Sequence, residues 1–140
     1  MTVGTLMTAD PVCCTRETTI KDVAMLMAQN DCGEIPVIRA QDDRRLLGVI
    51  TDRDIVCRVV AEGKNPSAYT VEGCMSQPVV TVPLDAPVED VLAAMEKHRI
   101  RRIPVVDEGG ACAGIIAQAD VAWAERLSEV GELVREVSRE

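Results

Sequence analysis

The stretch Ile20-Lys21-Asp22-Val23-Ala24-Met25-Leu26-Met27 returns later in the chain as Val88-Glu89-Asp90-Val91-Leu92-Ala93-Ala94-Met95. Ile20, Val23, Ala24 and Met27 fall on Val88, Val91, Leu92 and Met95, each 68 positions on. Their i, i+3, i+4, i+7 spacing makes each stretch an amphipathic helix. The same offset carries Ile35-Pro36-Val37-Ile38 onto Ile103-Pro104-Val105-Val106. A helix and the β-rich run after it therefore repeat together, as one supersecondary unit used twice. Each copy, at about 60 residues, buries too little apolar surface to be secure alone. A core shared by the two halves is expected, with function in the cleft between them.

Outward from these stretches the two copies keep the same order. Residues 1–10 form a lead-in whose Leu6 and Met7 are expected on the core, and Val71 to Met75 is its counterpart. Pro11 to Thr15 and Pro78 to Val82 read as short strands before the helices. Thr18 or Thr19 suits the cap of the first helix and Pro87 the first turn of the second. Polar turns, Gln41 to Arg45 and Glu108 to Gly110, join each Ile-Pro-Val strand to a third strand, Leu46 to Ile50 or Cys112 to Ile116. A second helix begins near Asp52 and near Gln118. The expected division is residues 1–62 for the first repeat with its lead-in, 63–70 for a polar linker, 71–125 for the second repeat and 126–140 for a helical extension. Trp123, Leu127, Val130, Val134 and Val137 follow the rhythm of a coiled-coil seam, but two heptads containing Gly131 are too short to stand alone. The extension is expected to pack on its own module or to widen a homodimer interface. Met7, Met25, Met27, Met75 and Met95 are read as core filler.

Composition excludes several functions. With 47% apolar and 27% charged residues the chain reads as an ordered globular protein, and it lacks both a membrane-length apolar run and a basic-then-hydrophobic leader. No membrane association and a cytoplasmic location are expected. A net charge of −8 repels a phosphate backbone, and one tyrosine and one tryptophan make no stacking platform, so nucleic acid is not an expected partner. Cys13, Cys14, Cys32, Cys57, Cys74 and Cys112 contain no C-x-x-C pair, so they read as reduced thiols without a metal. Redox chemistry at Cys13-Cys14 is disfavoured because neighbouring strand residues face opposite ways. His98, the only histidine, reads as an exposed loop residue, and without a nucleophile-and-base constellation no enzyme is expected.

Gly48-Val49-Ile50-Thr51-Asp52-Arg53-Asp54 spans the change from third strand to second helix. Backbone N–H groups at such a helix start form an anion site, Thr51 adds a hydroxyl, and Asp54 can accept from a ribose diol. The alternative needs no ligand: Thr51 as N-cap and Asp54 as a first-turn acid favoured by the helix dipole. His98-Arg99-Ile100-Arg101-Arg102 is the densest basic cluster, where the first copy has Asn30-Asp31-Cys32-Gly33-Glu34. Arg101 and Arg102 are phosphate candidates, against a solvated loop or ion pairs with carboxylates.

In this doubled order of Pro-Val starts, Ile-Pro-Val strands and Gly-x-x-x-x-x-Asp turns, residues 1 to about 125 resemble a tandem CBS (cystathionine-β-synthase) domain pair, often called a Bateman module. The resemblance implies an α+β fold of the CBS type, two β-α-β-β-α repeats packed with pseudo-two-fold symmetry. It implies a nucleotide site in which Thr51 reaches phosphate or ribose and Asp54 holds the ribose hydroxyls. Ile35, Pro36, Ile103 and Pro104 are then expected among the nucleotide-binding residues, with Arg101 and Arg102 on phosphate. The second copy keeps Asp120 but has Ala117 in place of the threonine. A hydrogen bond to a charged phosphate is worth roughly 1.5–3 kcal/mol, so the second cleft is expected to bind about tenfold more weakly or worse. The function implied is a regulatory module that senses AMP, ADP, ATP, NADH or S-adenosylmethionine as a regulatory ligand, with no obligatory cofactor, and controls a separate target protein. The alternative is a ligand-free dimerisation or protein-interaction module.

Overall fold

The structure, a computed structural model, describes residues 1–77 and 79–138, with side chains described through Gly131. In chain order the elements are α1 (Val3–Leu6), β1 (Thr8–Ala9), α2 (Ile20–Asn30), β2 (Glu34–Ala40), β3 (Asp43–Thr51), α3 (Asp52–Ile55), β4 (Val82–Pro83), α4 (Val88–His98), β5 (Arg102–Val106), β6 (Cys112–Ala117) and α5 (Gln118–Ser138). A π-helical turn, Val56–Val60, continues α3, and a 3₁₀ turn, Val71–Gly73, opens the second half.

The repeat is visible in detail. Thr19 caps α2, its hydroxyl accepting from the Asp22 N–H at 3.2 Å. Both α2 and α4 stop at a residue in the left-handed conformation, Asp31 (φ 49°) and Arg99 (φ 55°), again 68 positions apart. Strands β2 and β3 pair antiparallel, Ile35 opposite Ile50, as β5 and β6 do with Ile103 opposite Ile116. The first strand of each repeat is shorter than expected. It is β4 in the second half, parallel to β5, and in the first half it shrinks to Cys14 bridged to Val37. Pro11 has no N–H to donate, and Pro78 lies outside the described residues. The third strand of the first half starts at Asp43, three residues before the expected Leu46.

The expectation of one shared core is corrected. Ile20, Val23, Ile35, Val37, Ile50 and Val59 form one apolar cluster, and Val91, Met95, Ile103, Val105, Ile116 and Val121 form another. The halves are tied instead by exchange of their lead-ins. Val3 lies in the second cluster, and Val71 and Cys74 lie in the first. Val3 N–H donates to Ala86 O at 3.0 Å and Val71 N–H to Thr18 O at 2.9 Å. Gly4 N–H donates to Leu84 O at 3.0 Å and Glu72 N–H to Arg16 O at 3.1 Å. The exchange continues through β1, which pairs with β6 at Thr8–Ile115, and through the equivalent bridge from Ser76 to Val49. Each fully buried valine contributes about 1.5–3 kcal/mol, so each core is completed by a side chain from the other half's lead-in.

Two glycines admit these crossing segments. A Cβ on Gly48 would lie 2.9 Å from Ser76 O, and one on Gly114 would lie 2.5 Å from Met7 Sδ and 2.7 Å from Thr8 O. Met27 and Met95 are buried and Met7 and Met75 pack at the core edges, but Met25 is largely exposed and fills no core. His98 ends α4, exposed, rather than lying in a loop. Trp123, Leu127 and Val130 stand more than half exposed on α5; Val134 and Val137 lie outside the residues whose side chains are described.

Candidate functional site at the junction of the halves

Each second helix starts beside the turn that precedes its own hairpin. Asp52 N–H donates to Gly33 O at 2.9 Å, and Gln118 N–H donates to Arg101 O at 2.8 Å. This contact brings the end of the first helix, the start of the second and the crossing lead-in of the other half to one place in each repeat. Glu34 and Arg102 occupy equivalent positions and interact electrostatically where the two halves meet.

At the first of these places Thr51 and Asp54 are together but turned on each other. The Thr51 hydroxyl accepts from the Asp54 N–H at 3.1 Å, and the Asp54 carboxylate accepts from the Thr51 N–H at 3.0 Å, a reciprocal capping box. Ser76, on the crossing lead-in, donates its hydroxyl to both Asp54 oxygens at 3.1 Å, and Arg58 Nε lies 3.9 Å away. Asp54 is only 8% exposed. A ribose diol would have to displace Ser76 to reach it. The helix start is no open anion site either, because Thr51, Asp52, Arg53 and Asp54 all spend their N–H groups locally. That expectation is corrected: the capping box and the Asp52 side chain use up the donors.

The second place is open. A cavity of about 440 Å³ is lined by Asp120, Ala117 and Ile115 from one half, by the turn 30–34 from the other, by the lead-in from Thr8 to Val12 and by Arg102. Asp120 Oδ2 accepts from Ala117 N–H at 2.9 Å, while its other oxygen accepts no hydrogen bond from any described residue. Thr8 holds the position equivalent to Ser76, yet it forms no hydrogen bond to Asp120. Burial, reinforced by nearby Asp54 and Asp52, pushes the Glu34 carboxyl up to about 7 against the opposing pull of Arg102. Its Oε2 is buried without a hydrogen-bond partner among the described residues.

The residues singled out from sequence therefore divide. Arg102 and Asp120 share the cavity, and Thr51 and Asp54 sit at the filled counterpart. Arg101 lies outside the cavity, exposed beside Gln118 and Ala119. Ile35 and Ile103 have no exposed surface, each being core of its own half, and Pro36 and Pro104 are buried as well. None of the four lines the cavity. Glu34, Asp10, Asp31 and Thr8 were not singled out; the signal available for Glu34 was its 68-residue equivalence to Arg102. Cys13 and Cys14 do face opposite ways. Cys14 lies in the first core, its thiol pushed up to about 12 by burial. Cys13 meets Cys112, whose hydrogen bond, with Arg44 at 3.3 Å, lowers the Cys13 thiol to about 7. Among the described residues no group of three or more His, Cys, Asp or Glu could hold a metal ion, and no helix is long and apolar enough to cross a membrane.

The doubled hairpins, exchanged lead-ins and facing turns define a tandem pair of a known domain. The CBS domain family model matches residues 3–61 and again 71–126, and the chain belongs to that family. Hypoxic response protein 1 of Mycobacterium tuberculosis is 34% identical over 121 residues, 86% of this chain and 82% of that protein. An uncharacterised Methanopyrus kandleri protein is 33% identical over 89% of this chain, which spans 63% of that relative's length. Among solved structures, the CBS domain pair of MJ0100 in complex with 5′-methylthioadenosine and S-adenosyl-L-methionine has a TM-score of 0.80 at 25% identity, covering 91% of this chain and 98% of that one. The CBS domain protein PAE2072 from Pyrobaculum aerophilum, complexed with AMP, has a TM-score of 0.78 at 27% identity, covering 86% and 89%.

Proposed function

We propose that this chain is a regulatory module that binds an adenosine-containing small molecule in the Asp120–Arg102 cavity and reports occupancy to a separate target protein. The observation that carries the reading is the cavity itself, with one Asp120 oxygen uncommitted among the described residues, at the position where the resemblance implies a ribose contact. Support comes from two structural relatives that bind AMP, or methylthioadenosine and S-adenosylmethionine. The expected order of the clefts is reversed in this reading. The Asp120 side receives ligand despite Ala117, because Ser76 occupies Asp54. A ligand there touches both halves and the exchanged lead-in, so binding favours one relative packing of the halves over others.

The module acts without a catalytic step, and its six reduced cysteines suit a reducing cytoplasmic compartment. A homodimer is part of the reading. Trp123, Leu127 and Val130 on α5, with Val56 and Val60 on the π-helical turn, leave apolar side chains 54–61% exposed on the second helices. The test is thermal stabilisation by adenosine, methylthioadenosine, S-adenosylmethionine, AMP, ADP, ATP and NADH. Ligand at a hundred times its Kd should add about 2.7 kcal/mol of stability, and Asp120→Ala should remove that gain. No stabilisation by any of these compounds would leave the ligand-free interaction module as the better reading.

A further inference from the structure

The walls of the Asp120 cavity carry mostly one sign of charge. Asp10, Asp31, Glu34 and Asp120 line it, and Arg102 is the single cation among its described lining residues. Arg102 is itself opposed by Glu34, which also faces Asp54 and Asp52 from α3. Asp52 lies just behind the turn, its Oδ2 2.8 Å from where a Gly33 Cβ would stand.

Two of the donors that would offset this charge are already spent. Ala117 N–H is given to Asp120 and Gln118 N–H to Arg101 O, so the first two donors at the start of α5 do not face a ligand. Ala117 replaces a hydroxyl with a methyl group, and Pro11, Val12 and Ile115 supply further apolar wall. A phosphate entering here exchanges water for the carboxylates of Asp10, Asp31 and Asp120, a partly protonated Glu34 and one shared guanidinium. A thioether or sulfonium meets apolar surface and favourable charge.

Resting on the reading of this cavity as an adenosine-ligand site, we propose that it selects by charge. It accepts nucleosides whose 5′ substituent is neutral or cationic and discriminates against those bearing 5′ phosphates. The selection comes from the field of the walls, so it weakens with added salt.

Calorimetric titration of the full chain with S-adenosylmethionine, 5′-methylthioadenosine, AMP and ATP, at low and at high ionic strength, tests this. The two sulfur nucleosides should bind most tightly, with AMP about tenfold weaker and ATP weaker again at low salt. Combining Asp10→Asn with Asp31→Asn, both exposed and both tolerant of asparagine in their left-handed conformation, should narrow the gap between AMP and methylthioadenosine by about tenfold. AMP or ATP binding as tightly as methylthioadenosine would overturn the charge rule and leave the site standing, as would a gap unmoved by the double variant. Silence from all four titrants would overturn the site and the rule together.

Discussion

The two aspartates of the repeat, Asp54 and Asp120, begin from the same local sequence logic and finish in different employment. Asp54 closes a capping box and takes the Ser76 hydroxyl on both oxygens; Asp120 takes one backbone N–H, has no second hydrogen bond from the described residues, and lines a cavity. The lead-in position that decides this is Ser76 in one half and Thr8 in the other, and it comes from the opposite repeat in each case. Duplication thus supplied two equivalent places. The exchanged segments then made one a joint of the structure and left the other open.

The largest effect should come from obstructing the exchange. Gly114→Ala drives a methyl group against Met7 Sδ and Thr8 O, at 2.5 and 2.7 Å, and should destabilise the fold by about 3 kcal/mol. Gly48→Ala, nearest to Ser76 O at 2.9 Å, should cost about 1–2 kcal/mol. Urea unfolding of the two variants measures the difference, and equal losses would mean that the two crossings are held alike.

Next in size is the contrast between the aspartates. Without ligand, Asp54→Ala should lose about 2 kcal/mol, since it removes a buried cap and strands the Ser76 hydroxyl, whereas Asp120→Ala should lose under about 1 kcal/mol. Equal destabilisation in thermal melts would erase the division of labour.

Glu34 gives a smaller, pH-dependent effect. Its carboxyl titrates near 7 when folded against 4.5 ordinarily, so between those values the folded state holds a proton that the unfolded chain has lost. Its contribution to stability therefore falls as pH rises from about 4.5 to about 7, and stays low above that. Glu34→Gln should stabilise the protein at pH 8 by about 1–2 kcal/mol and leave it nearly unchanged at pH 4. A gain that does not depend on pH would mean that Glu34 is not desolvated at this junction.

The smallest expected effect is kinetic. With its thiol lowered to about 7, Cys13 should be labelled at neutral pH faster than Cys32, whose thiol burial raises, although both are half-buried. Peptide mapping after brief alkylation reads the order, and Arg44→Gln should slow Cys13 alone.

What was legible from the residues was what is local. The stripes that make α2 and α4 repeat within one or two turns, the Thr19 cap reaches three residues, and Ile-Pro-Val runs alternate within a strand, so inspection of the chain recovers all three. Thr51 and Asp54 were legible as a pair for the same reason, being one turn apart. Arg102 and Asp120 were found as candidates, yet nothing near either residue says that they share a cavity with Asp10 and Asp31.

By itself, then, the sequence determined the repeat, the helices and strands within it and the residue types at each helix start, because neighbours along the chain set those features. Only the tertiary structure decided that each lead-in completes the other half's core, that Ser76 reaches Asp54 while Thr8 leaves Asp120 alone, and that Glu34 falls within the electrostatic reach of Arg102. Those contacts join residues tens of positions apart. Their partners are chosen by how two cores pack and cross, which no short window of sequence contains.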